Sequence, residues 1–167
     1  MPILLLAGLL VALLAGSTQA AESLYNRQAA KKLDPEKISL FGPQAGKFKY
    51  DSRMVRAAEI AQARAHAHST SLCWRYVKDA LLAAKIIATR PTSAYAKQAA
   101  GELEKNYGFK KLNVRDPYRA PVGSVIVYGG RGAGHVELRT TRGFVSDFVS
   151  LRPSSRPLLG VYVKPPA

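Results

Sequence analysis

Near residue 108 the chain changes texture, and the change restricts its architecture more than any single motif does. Beyond it, "SVIVYGG", "GHVELRTT", "GFVSDFVS" and "LGVYVK" are short, β-branched or aromatic runs parted by Gly, Pro and Arg, the pattern of an antiparallel meander. Before it the apolar positions keep helical spacing. "MVRAAEIAQARAH", from Met54 to about His66, is Ala-rich and helix-prone. A second helix is predicted behind the N-cap candidates Ser69, Thr70 and Ser71, because Cys73, Tyr76, Val77, Ala80, Leu81 and Ala84 recur at steps of three and four. Arg75, Lys78 and Asp79 point away from that stripe. A third helix should run from about Ser93 to Asn106, ended by the glycine of "YGF". Helices first and strands afterwards predict an α+β domain, with N-terminal helices packed on an antiparallel sheet.

The amino-terminal stretch bears on compartment. "MPILLLAGLLVALLAGSTQA", residues 1–20, has no charged side chain and an apolar run from Ile3 to Ala15, short for a bilayer span and followed by small residues. It reads as a secretory signal peptide cut near Ala20. Removing twenty of the 167 residues leaves about 147, enough for one domain with its own core. Residues 21–52 show no sustained period and read as an irregular arm, leaving 53–167 as the domain. All the charge lies outside the leader, so the exported part keeps the full +14. Such an excess favours anionic partners. An exported chain meets anionic envelope polymers such as peptidoglycan first, and the basic residues form no compact tract with interleaved aromatics that would read as a nucleic-acid motif. Nucleic acid is therefore not an expected partner, nor is stable membrane insertion after the leader is removed, and a monomer is expected.

Export sharpens the question posed by a single cysteine, since an exported chain usually uses thiols in pairs and one thiol allows no internal disulfide. Cys73 is an intermolecular partner, a small buried hydrophobe or a reactive thiol. Its predicted place in the first turn of a helix favours the thiolate, through unpaired N–H groups and the helix dipole. An imidazole nearby would favour it further. His135, in "GAGHVEL", opens a predicted strand after a Gly-rich turn that leaves room for a substrate beside the ring. A third polar group should hold that ring. Asp147 lies twelve residues on, across the "TTRG" turn, and is preferred as a cross-strand neighbour. Glu137 is the rival, two residues on and so on the same strand face as His135. His66 and His68 form an H-x-H pair with no second ligand cluster, so no metal is expected, and no cofactor.

"CWRYV", then "PVGSVIVYGGRGAGHVEL", then "GFVSDF" resembles, in order and spacing, the CHAP and NlpC type cysteine amidohydrolases and peptidases, papain-like cell-wall hydrolases. The likeness spans about residues 69–163. It implies a papain-like fold, Cys73 as nucleophile, His135 as general base and Asp147 as the orienting group. Tyr76, Gly134 and Arg139 are the substrate-binding candidates, with Arg131 and Arg142 also placed to grip a substrate carboxylate. Leu72 stands where NlpC types often carry Asp and CHAP types Gln. The implied activity is cleavage of a peptidoglycan amide bond, by an endopeptidase or an N-acetylmuramoyl-L-alanine amidase, through a thioester. The competing expectation is a non-catalytic cationic envelope-binding protein on the same fold, with Cys73 a core residue.

Overall fold

A computed structural model describes residues 48–166. The leader expected over residues 1–20, and the arm as far as residue 47, lie outside the described residues. Three helices precede most of the sheet: α1 (Arg53–Ala63), α2 (Cys73–Ala83) and, after a single 3₁₀ turn (Ala96–Gln98), α3 (Ala99–Tyr107). The strands are β1 (Lys110–Leu112), β2 (Val125–Tyr128), β3 (His135–Arg139), β4 (Phe144–Val145), β5 (Val149–Ser150) and β6 (Leu158–Val163). They form one antiparallel sheet in the order β1-β6-β2-β3-β4-β5. The expected meander therefore holds from β2 to β5, but β6 turns back and inserts between β1 and β2. β1 was not foreseen. Its "KKL" carries two exposed lysines, which suit a sheet edge because their charge discourages further pairing.

Alternation along the strands gives the sheet two different faces. Val125, Val127, Val136 and Leu138 pack with Met54, Ala57 and Ala61 of α1, Val77 and Leu81 of α2, and Leu103 of α3. Fully burying each such Val or Leu is worth roughly 1.5–3 kcal/mol, so this helix-covered face holds the main core. Ile126, Tyr128, Phe144 and Val161 build a smaller cluster on the other face, with Val114 and Ala120 from the segment that follows β1.

Several helix details depart from expectation. α1 stops at Ala63 because the chain must straighten for the His66 N–H to donate to the Asp147 carbonyl at 2.8 Å. Lys78 does not face solvent. It is 6 % exposed, with Nζ donating to the Ser93 carbonyl at 2.5 Å and lying 5.0 Å from the Trp74 ring centre. α3 ends, as expected, at Gly108 in the left-handed conformation. The last residues of the arm belong structurally to the sheet's surroundings. Tyr50 donates its hydroxyl to the Val122 carbonyl at 2.8 Å, and the Asp51 N–H donates to Lys164 O at 2.9 Å. Gly123 allows α1 to approach the Pro121-x-Gly123 turn: its φ is +90°, and a Cβ there would stand 2.6 Å from the Met54 carbonyl carbon.

Candidate active site

Cys73 is the first residue of α2 and is half-buried against the core, so helix start and apolar stripe coincide as the spacing predicts. The Ser and Thr residues before it do not cap the helix. Leu72 is the N-cap and makes no side-chain capping bond. The work of ordering the loop falls to Asp147, which is fully buried. Its Oδ2 accepts from the Thr70 N–H at 2.5 Å, the Ser69 and Thr70 hydroxyls at 3.1 and 3.0 Å, and the Leu72 N–H at 3.3 Å; Oδ1 accepts from Ser146 at 3.0 Å. Burial alone would raise this carboxyl's pKa, but the donors outweigh it and hold the group at about 2. Within the loop, Ser71 takes a φ of 61°, a conformation rare for a residue with a side chain. The carboxylate thus fixes a strained approach to the helix that begins at Cys73 from a different part of the chain.

His135, at the first position of β3, meets Cys73 at the end of the sheet where α2 begins. Residues 136 and 138 face the helices, so His135 and Glu137 share the opposite face, and the imidazole reaches the sulfur because it stands at the strand's end. Burial pushes the Cys73 thiol up, yet the hydrogen bond and charge of His135, with the Val136 and Trp74 N–H groups, bring it below its ordinary range. Burial pushes His135 down, but its contacts with Cys73 and Glu137 raise it to about 9. The contact thus favours the thiolate on Cys73 and the imidazolium on His135, each stabilising the other.

The ring's partner is Glu137, which corrects the preference for Asp147. His135 Nε2 lies 3.3 Å from Glu137 Oε2, and the Glu137 side chain is only 4 % exposed. The other oxygen, Oε1, accepts from the Tyr128 hydroxyl at 2.5 Å and the Ser154 N–H at 3.4 Å. Tyr128 is the residue that the sequence reading missed. Its signal was present in the hairpin "YGGRGAGH", whose register sets Tyr128 directly opposite His135.

The three substrate-binding candidates fare differently. Arg139 is 2 % exposed, lies 4.9 Å from the Phe144 ring centre, and donates from Nη1 to the Thr140 and Gly143 carbonyls at 2.6 and 2.7 Å. It is turned into the β3–β4 hairpin and does not present its charge to a substrate. Gly134 makes room for protein: a Cβ there would lie 2.5 Å from the Tyr128 carbonyl oxygen and 2.7 Å from Lys97 Cβ. Tyr76 is half-exposed, with its hydroxyl hydrogen-bonded to His66 Nε2 and its ring edge-on to that imidazole at 5.3 Å. Arg131 and Arg142 are exposed. Among the described residues no group of three or more His, Cys, Asp or Glu is placed to hold a metal ion, and no helix is long and apolar enough to cross a membrane.

A solved structure with the same architecture is that of the type VI native effector–immunity complex Tae3–Tai3 from Ralstonia pickettii. The match takes in 70 % of this chain and 99 % of the other, with a TM-score of 0.54 and 22 % identity. The fold is papain-like. No protein-family model and no curated protein matches the sequence. The likeness is thus one of fold, and the chemistry rests on the chain's own residues.

Proposed function

We propose that this chain is an exported cysteine hydrolase that cleaves an amide bond of peptidoglycan. The observation that carries the reading is the contact of the Cys73 thiol with His135 at the start of α2, with Glu137 behind the ring. The thiolate attacks the amide carbonyl, and backbone N–H groups at the start of α2 face the charge that develops on oxygen. The imidazolium passes its proton to the leaving amine as the C–N bond breaks, leaving a thioester and a neutral ring. His135 then takes a proton from water as it attacks the thioester, which releases the acid and restores the ion pair.

Three further features support the substrate and compartment. The apolar leader over residues 1–20 suits export, and the net charge of +14 suits adsorption to an anionic wall polymer. The fold likeness to a chain of an effector–immunity complex supports action on the wall of another cell. The test is digestion of purified peptidoglycan by the protein and by Cys73→Ala, with soluble fragments identified by mass spectrometry. Fragments from the first alone are expected, and their masses name the bond. Binding of the polymer by both forms with release by neither would overturn the hydrolase reading in favour of a cationic envelope-binding protein.

A further inference from the structure

With Arg139 turned inward, the anion-gripping role expected along β3 has no occupant on that strand, while another pair of arginines stands beside the nucleophile. A hollow of 440 Å³ opens between α1 and α2, lined by Ala61, Arg64, Leu72, Arg75, Tyr76 and Asp79. Its geometry follows from helix periodicity. The N-cap Leu72 and Arg75, Tyr76 and Asp79 of α2 fall at i, i+3, i+4 and i+7, one stripe, and Arg64, the C-cap of α1, stands across from them. Leu72 is 41 % exposed although apolar, and it immediately precedes Cys73.

The charges in this hollow do not cancel. Asp79 is already paired with Arg90 at 2.8 Å. Arg64 and Arg75 are both exposed, and among the described residues neither guanidinium makes a hydrogen bond or an ion pair. Two forked cations beside an apolar lip fit a ligand that carries a carboxylate next to a short aliphatic stretch. We infer that this hollow is a subsite for a carboxylate of an acidic peptide, held by Arg64 and Arg75 while the neighbouring amide lies at Cys73. As a statement about substrate, the inference rests on the hydrolase reading above.

The test separates binding from turnover. Calorimetric titration uses the full chain carrying Cys73→Ala, with alanyl-glutamyl-lysyl-alanine amide as probe and its glutamine analogue as the neutral twin. The acidic peptide should bind more tightly than its twin. Adding Arg64→Gln and Arg75→Gln should weaken it about tenfold, the loss of one charge-assisted contact, and bring the two peptides level. A charge-matched control, Arg56→Gln with Lys105→Gln, should bind as the parent does. Both are exposed residues of α1 and α3 outside the hollow, and equal melting temperatures check folding. Equal affinity for the two peptides, indifference to Arg64 and Arg75, or an equal loss in the control would each overturn the subsite. The two readings fail differently: tight, arginine-dependent binding with no cleavage of peptidoglycan by the unaltered protein removes the hydrolase and leaves the subsite. Cleavage with arginine-indifferent binding does the reverse.

Discussion

Glu137 and Asp147 are both buried carboxylates near Cys73, yet they act on different things, and replacing each by its amide separates them. The Cys73 contact first and Glu137 after it hold His135 at about 9 against its burial. A group raised in this way keeps its proton up to that pH, so the alkaline limb of kcat/KM should lie near 9, above which the imidazolium and its proton for the leaving amine are lost. Glu137→Gln should move that limb down by part of the rise, since the Cys73 contact that also raises the ring remains, and lower the rate roughly a hundredfold, read from a pH–rate profile. Asp147→Asn should leave the limb in place. The sequence reading paired Cys73 with His135 from a helix start and a strand start, and the structure brings the two together, but the reading preferred Asp147 to Glu137 beside the ring for a reason of register. β3 and β4 pair Leu138 with Val145 and Arg139 with Phe144. Continued, that register sets Asp147 across from Val136, on the helix side of the sheet, where it meets residues 69–72 and not the ring. The i+2 relation of His135 and Glu137 was the better guide.

At the scale of elements, close approaches decide which substitutions matter. Gly132 and Gly134 both sit in the hairpin before His135 with positive φ, +74° and +78°, but nothing lies within 4 Å of a Cβ at the first. Gly132→Ala should therefore cost only backbone strain, about 1 kcal/mol. Gly134→Ala adds a collision with the Tyr128 carbonyl and the backbone N of Lys97, 2.5 and 2.9 Å away. Its cost should exceed that of Gly132→Ala by about 2 kcal/mol or more, measured by urea unfolding. The existence and order of the helices were legible because apolar spacing and a terminal glycine are local signals. The N-cap was not, since Ser69 and Thr70 look like caps in sequence and turn out to be donors to a carboxylate more than seventy residues away. β1 was hidden by its lysines, which are chosen for an edge and not for a core.

For the whole molecule, charge and acid stability lead to two expectations. Asp147 has its carboxyl lowered from 3.8 to about 2, so the stability it adds is complete above about pH 4 and lost as pH falls toward 2. That contribution is on the order of 2 kcal/mol, and the Asn variant should lack it at neutral pH while showing a flatter acid limb in thermal melts. The charge of +14 should make adsorption to wall polymer fall in 0.5 M salt, as a sedimentation assay would show, because exposed charges are screened over a few ångströms there. The class of fold was legible from the helix-to-strand switch, whereas the place of β6 was not, because hairpin signals report neighbours in sequence and β6 pairs with β1 and β2 across long separations.

That placement also sets a schedule. β6, with β1 on one side and β2 on the other, is an interior strand of the sheet that carries His135. A nascent chain can fold the β2–β3 hairpin early, but β2 keeps an open edge, and Cys73 and His135 have no rigid frame between them, until residue 163 has left the ribosome. The Cys73–His135 contact therefore waits on the long-range pairing of β6 with β1 and β2.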